Sequence, residues 1–115
     1  VSLHCPGGDA NRHLIDAGKL SQMKPTAILV NTARGEVVDE AALVDALTDG
    51  TIAGAGLDVF DGEPDINPGL VACENAVLLP HLGSATMETR EAMGFRVLQN
   101  LDDFFDGRRP RDKVA

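Results

Sequence analysis

Ala27-Ile28-Leu29-Val30-Asn31-Thr32-Ala33-Arg34-Gly35 is the stretch on which the reading of the whole chain turns. Its four apolar residues, with Pro25 before them and Gly35 after, have the pattern of a fully buried strand in a parallel sheet. The arginine falls just past the carboxyl end of that strand. Open α/β sheets bind ligands outside the carboxyl ends of their strands, so a guanidinium here is placed to meet an anion.

Working outward, Val1 to Pro6 reads as a strand stopped by proline, followed by the flexible loop Gly7-Gly8-Asp9-Ala10. Asp16 is positioned to cap a short helix carrying Leu20 and Met23 and ended by Lys24-Pro25. Downstream, Asp39 caps a helix with Glu40 in its first turn, Leu43, Val44 and Leu47 on one face, and Gly50 as its stop. Ile52 to Phe60 reads as a third strand, whose small residues predict close approach of a helix or ligand to the backbone. Asp61 to Pro68 is a loop, Leu70 to Cys73 a single helical turn, and Ala76 to Pro80 a fourth strand.

After the loop His81 to Thr86, a helix is expected over 87–105 with Met93, Val97, Leu101 and Phe104 as its apolar stripe and Ser84 or Thr86 as its cap. Gly94 inside it costs about 1 kcal/mol relative to Ala, and a tight packing contact is the expected reason. Arg108-Arg109-Pro110-Arg111 reads as a basic tail, solvated or packed on a further segment. Strands alternating with helices imply right-handed βαβ crossovers and a parallel sheet, an α/β fold.

The 115 residues suit one domain, and 43% apolar residues suffice for one core. A net charge of −8 with scattered Lys and Arg leaves no electrostatic footprint for nucleic acid or anionic lipid. Cys5 and Cys73 make neither a disulfide framework nor a metal site. No apolar stretch approaches the ~20 residues needed to span a bilayer, so a cytoplasmic protein is expected. Val1-Ser2-Leu3-His4 begins within a strand pattern, and the chain is read as a piece of a longer protein.

Three strand-end groups are candidates for chemistry: Arg34 after the second strand, Asp58 to Glu63 after the third, and His81 after the fourth. Each has an ordinary reading by itself, as a surface ion pair, a turn before Pro64, and a loop histidine. A parallel sheet brings them to one edge. There a forked cation, a carboxylate and an imidazole form a set able to oxidise a hydroxy acid, with Arg holding the substrate carboxylate, His taking the hydroxyl proton and Glu holding His.

The segments Asn31 to Gly35, Val37 to Leu43, Gly54 to Phe60 with Glu63-Pro64, and Pro80 to Thr86, together with Ser2 to Pro6 and Met23 to Val30, resemble the D-isomer-specific 2-hydroxyacid dehydrogenases. The resemblance covers nearly the whole chain in the family's order. It implies a Rossmann-like, doubly wound fold and an NAD- or NADP-dependent reaction. By position it implies that Arg34 binds the substrate carboxylate, that His81 is the acid/base and that Glu63 supports it. Asp58 would accept from the nicotinamide amide, Thr32 and Ala33 would line the nicotinamide side, and His4 and Pro6 would lie beside the cofactor's ribose and phosphates. Gly83 and Ser84 would sit near the nicotinamide or form the turn into the last helix.

The glycine-rich Gly-x-Gly-x-x-Gly turn is absent: Gly54 and Gly56 imitate its start, but position 59 is Val. The expectation is therefore that residues 1–115 are the C-terminal part of a dinucleotide-binding domain, with the first half and the substrate domain upstream. Gly7 to Ala10 also departs from the more polar Thr-Pro-Glu-like loop of relatives. The closing helix resembles the glyoxylate/hydroxypyruvate reductase branch, and a homodimer is expected for the full-length protein. Alternatives are a dinucleotide-bound co-repressor-like partner module and an inert fragment. Formate dehydrogenase is disfavoured, because its histidine is partnered by glutamine where this chain has Glu63.

Overall fold

A computed structural model describes residues 1–114, which form two units, one from Val1 to His81 and one from Leu82 onward. In the first, β1 (Ser2–Leu3), β2 (Ile28–Asn31), β3 (Gly54–Leu57) and β4 (Ala76–Leu78) make one parallel sheet in the order β1-β2-β3-β4. Helices α1 (Ala17–Leu20), α2 (Glu40–Thr48) and α3 (Pro68–Ala72) connect successive strands. The strand order never reverses within this chain, so it supplies a single direction of winding. All four carboxyl ends lie along one edge.

Each helix starts where a side chain replaces a missing backbone acceptor. Asp16 accepts from the Lys19 N–H, Asp39 from Ala42 and Asn67 from Gly69, the last followed by Pro68 at the first helical position. Gly50, at φ 71°, ends α2 in the left-handed turn that glycine tolerates. Asn75 Nδ2 donates to the Leu47 carbonyl at 3.1 Å. Leu29, Val37, Leu43, Ile52 and Leu70 are completely enclosed in the core, with Leu20 and Leu47 beside them.

The sheet is buried on one face only. Leu3, Leu29, Asn31, Ala55 and Leu57 point into the core, while Ile28 is half exposed and Val77 is exposed. The expected fully buried strand at 27–30 is therefore corrected: its period-2 alternation sends Ile28 and Val30 to the open face. The third strand is also shorter than expected. Ile52 is used as core filler before pairing starts, and after Leu57 the chain peels away, its Phe60 N–H taken by a carboxylate instead of a strand. Close approach does occur at Gly54, to the Asn75 carbonyl, which would lie 2.8 Å from a β-carbon there, and not to a helix.

In the second unit α4 spans Met87–Phe105, and Thr86 caps it by accepting from the Thr89 N–H. None of its residues is buried, so the Met93, Val97, Leu101 and Phe104 stripe is a surface of this unit. The packing contact expected at Gly94 is not found, since a β-carbon there would meet nothing within 4 Å. The basic tail is partly neutralised: Arg108 pairs with Asp103 and Asp106 at 2.8 Å each, and Asn100 holds Asp112 back on the helix.

Candidate active site

At the end of β2, Asn31 is 1% exposed and uses both halves of its amide. Its Oδ1 accepts from the Ala33 N–H at 3.0 Å and its Nδ2 donates to the Arg34 carbonyl at 2.9 Å. This side-chain turn folds residues 31–34 and fixes the backbone from which Arg34 projects. Gly35 follows, buried against the backbone of Phe60 and Asp61, where a β-carbon would overlap Phe60 C and O and Asp61 N. The turn that bears Arg34 is thereby seated on the segment that leads to Glu63.

Arg34 is exposed, and its Nη1 donates to the Ala33 carbonyl at 2.7 Å. Among the described residues no carboxylate lies within ion-pair distance of it. A cavity of about 370 Å³ at this edge is lined by His4, Pro6, Thr32, Ala33 and Arg34. Thr32 Oγ1 lies 3.5 Å from both His4 Nδ1 and the Leu3 carbonyl, while His4 Nε2 meets Ser2 Oγ at 2.8 Å.

The ends of β3 and β4 carry the second group. Asp58 is buried, and its N–H donates to the Asn31 carbonyl at 3.0 Å. Glu63 divides its carboxylate between two partners. Oε1 accepts from the Phe60 N–H at 2.8 Å, and Oε2 meets His81 Nδ1 at 2.8 Å. These two bonds, the His81 bond first, hold the Glu63 carboxyl below the usual carboxylate range. An ionised carboxylate can only accept, so the proton between them belongs to Nδ1, and Nε2 is left as the nitrogen that exchanges a proton. Phe60, Pro64, Ile66 and Pro80 wall a small cavity of about 170 Å³ beside the pair. His81 itself has φ 54°, a left-handed turn at the end of the β4 segment.

The predicted residues thus fall into two groups on one sheet edge: His4, Pro6, Thr32, Ala33 and Arg34 around one cavity, and Glu63 with His81 around another, with Asp58 at the end of the strand between. Gly83 and Ser84 belong to the second unit, in the turn where the Ala85 N–H donates to the Leu82 carbonyl at 2.9 Å. Ser84 does not cap α4; Thr86 does. Three contributors were not singled out from sequence. Asn31 and Gly35 lie inside the motif that was, and Glu40, in the first turn of α2, accepts from the Asp61 N–H at 2.8 Å. Burial, opposed by that bond, raises the Glu40 carboxyl above its usual range.

The larger cavity carries the small Ala33 beside the polar Thr32, His4 and Arg34 side chains, a lining that fits a polar, partly flat group such as the nicotinamide end of a dinucleotide. Among the described residues no Gly-x-Gly-x-x-Gly turn joins a strand to a helix, so the pyrophosphate end has no such cradle here.

A parallel sheet that gathers a forked cation and a carboxylate-held imidazole along its carboxyl edge puts them where open α/β sheets bind their ligands. The family described as "D-isomer specific 2-hydroxyacid dehydrogenase, NAD binding domain" matches residues 1–83, and the chain belongs to that family. It is 51% identical over 114 residues to a glyoxylate reductase of Thermococcus litoralis, covering 99% of this chain and 34% of the relative. With a glyoxylate reductase of Pyrococcus furiosus it shares 53% over 110 residues, covering 96% and 33%. The crystal structure of an NADPH-dependent glyoxylate/hydroxypyruvate reductase from Sinorhizobium meliloti, in complex with NADP and malonate, superposes with a TM-score of 0.86 at 46% identity, covering 90% of this chain and 33% of that one. The chain spans about a third of the length of these relatives.

Proposed function

We propose that the full-length protein is an NAD(P)-dependent reductase of small 2-oxo acids, glyoxylate or hydroxypyruvate first among them, and that residues 1–115 are the C-terminal part of its dinucleotide-binding domain. The observation that carries this is the 2.8 Å pair of Glu63 and His81 on the same sheet edge as the Arg34 fork. The glyoxylate reductases among its relatives support the substrate class.

A bound nicotinamide dinucleotide supplies or accepts the hydride. The chain's own residues do the rest. Arg34 presents two parallel N–H groups to the substrate carboxylate, which sets the face of the neighbouring carbonyl that is offered. His81 Nε2 gives a proton to the carbonyl oxygen as it becomes a hydroxyl, and takes it back in the reverse direction. Glu63 keeps the imidazole in the tautomer and orientation that leave Nε2 for this transfer. Thr32, Ala33, Asp58, His4 and Pro6 hold the cofactor, and by family resemblance alone Gly83 and Ser84 are also assigned to cofactor binding. The full-length protein is read as a homodimer on the strength of the family resemblance, and sedimentation velocity measures that state directly.

The test is steady-state reduction of glyoxylate and hydroxypyruvate by the full-length protein with NADH and with NADPH. Turnover that falls by roughly two to four orders of magnitude in His81→Ala is the expected outcome. A wild-type protein that binds dinucleotide and reduces neither acid would refute the reading.

A further inference from the structure

Residues 6–9 run past the Arg34 turn with no side chain at Gly7 or Gly8. The place a β-carbon on Gly7 would take is already filled: Glu36 Oε1 overlaps it, and Arg34 Cγ and Cβ lie 2.9 and 3.2 Å from it. Glu36 is held at both ends. Its carbonyl accepts from the His13 N–H at 2.8 Å, and its carboxylate accepts from the Gly8 N–H at 3.0 Å. The same loop is tied down at its start by Asn11 Nδ2, which donates to the Pro6 carbonyl at 2.8 Å. Gly8 takes φ 97°, a conformation side chains avoid. The Arg34 stem and the Glu36 carboxylate therefore share one slot over the Gly7 backbone.

We infer that Glu36 is a positioning residue for Arg34: seated on the Gly7–Gly8 backbone, it holds the 6–9 loop against the Arg34 stem and so sets the direction in which the guanidinium meets a substrate carboxylate. Arginine is long and rotamer-rich, and among the described residues its guanidinium is held by the Nη1 bond to the Ala33 carbonyl. A wall along the stem removes much of that freedom before substrate arrives. The Gly8 hydrogen bond, helped by the nearby Arg12 and Arg34 charges, keeps the Glu36 carboxyl below its usual range, so it is an acceptor for the Gly8 N–H at neutral pH. The inference rests on the reading of Arg34 as the carboxylate clamp.

Three substitutions in the full-length protein separate reach from charge. Glu36→Gln keeps an acceptor at the right length without the charge. Glu36→Asp keeps the charge one methylene short of the Gly8 N–H, and Glu36→Ala removes both. The expected result is a rise in KM for glyoxylate of roughly tenfold or more in Ala and Asp, with Gln within about twofold of wild type. In an Arg34→Lys background, Glu36→Ala should add little, because residues that act through one another are not additive. A second readout needs no turnover: the rate at which phenylglyoxal modifies Arg34, followed by peptide mass spectrometry. It should be several-fold faster in Ala and Asp than in wild type and Gln. Equal modification rates in all four proteins overturn the inference, as does a Gln variant as impaired as Ala, or full additivity with Arg34→Lys. A wild type that reduces no 2-oxo acid refutes the proposed function instead, and the modification rates still decide whether Glu36 seats Arg34.

Discussion

Replacing Gly35 with Ala adds one methyl group at the point where the two halves of the site touch. The added β-carbon would overlap Phe60 C and O and Asp61 N, all backbone atoms, so no side chain can swing aside to admit it. Gly35 has no positive φ, and the constraint is therefore close approach alone. Ordinary contact begins near 3.4 Å. Restoring it moves the Arg34 turn and the Phe60–Asp61 segment apart by on the order of 1 Å, a misplacement able to cost about 100-fold in rate when the groups must act together. Forcing an extra methyl into a packed site also costs about 1–3 kcal/mol, and backbone partners put this case at the upper end. At roughly 2–4 °C per kcal/mol for a domain of 150–250 residues, calorimetry of the full-length protein should show a Tm lower by roughly 5–10 °C. Gly94→Ala is the control. It adds the same methyl to open space inside α4 and should leave Tm unchanged or raise it, since Ala is the better helix former by about 1 kcal/mol. Gly35→Ala with a Tm within about 1 °C of wild type and an unchanged kcat/KM would refute the reasoning, because overpacking at this scale cannot be silent.

Arg34→Lys keeps the charge but loses the planar fork, so kcat/KM for a 2-oxo acid should fall by roughly one to two orders of magnitude while dinucleotide affinity barely changes; equal steady-state kinetics would remove Arg34 from the clamp role. The Glu63 carboxyl lies below its ordinary value, so what it contributes to the loop 60–64 is fully present above the unfolded value near 4.5 and is lost as pH falls through the lower folded value. The protection factor of the Phe60 N–H, its exchange rate corrected for the intrinsic pH dependence of amide exchange, should fall across that acidic window in wild type and stay level in Glu63→Gln; an identical profile in both would show that the Glu63 bonds do not hold the loop. The 115-residue chain by itself should bind NAD(H) weakly in calorimetry, since much of a dinucleotide's anion binding comes from a glycine-rich helix entrance that it lacks; micromolar affinity would contradict this.

What the sequence makes legible is chiefly local. Asp16 and Asp39 announced their helices because a capping side chain acts within three residues, and α4 kept its expected bounds because a long 3.6-residue period and a Thr cap point the same way. The order of the strand-end groups also followed from alternation of strands and helices. What stayed illegible depends on contacts between distant segments: Glu36 with Gly8, 28 residues apart, Glu40 with Asp61, 21 apart, and Gly35 against the Phe60 backbone. Strand ends were overrun for a related reason. Val59 and Phe60 look like strand, but their chain leaves the sheet for Glu63, and sequence has no local mark for that departure.

Asn31 bears on how the protein would age. Side-chain amides are among the thermolabile groups of proteins. Hydrolysis here would replace Nδ2, which donates to the Arg34 carbonyl, by an oxygen that cannot donate, and would leave a carboxylate sealed in a site 1% exposed. The same enclosure shields the amide from water while the fold is intact. Chemical damage at Asn31 should therefore accumulate only in molecules that have already opened, and a deamidated peptide from this position would date past unfolding and not wear in the native state.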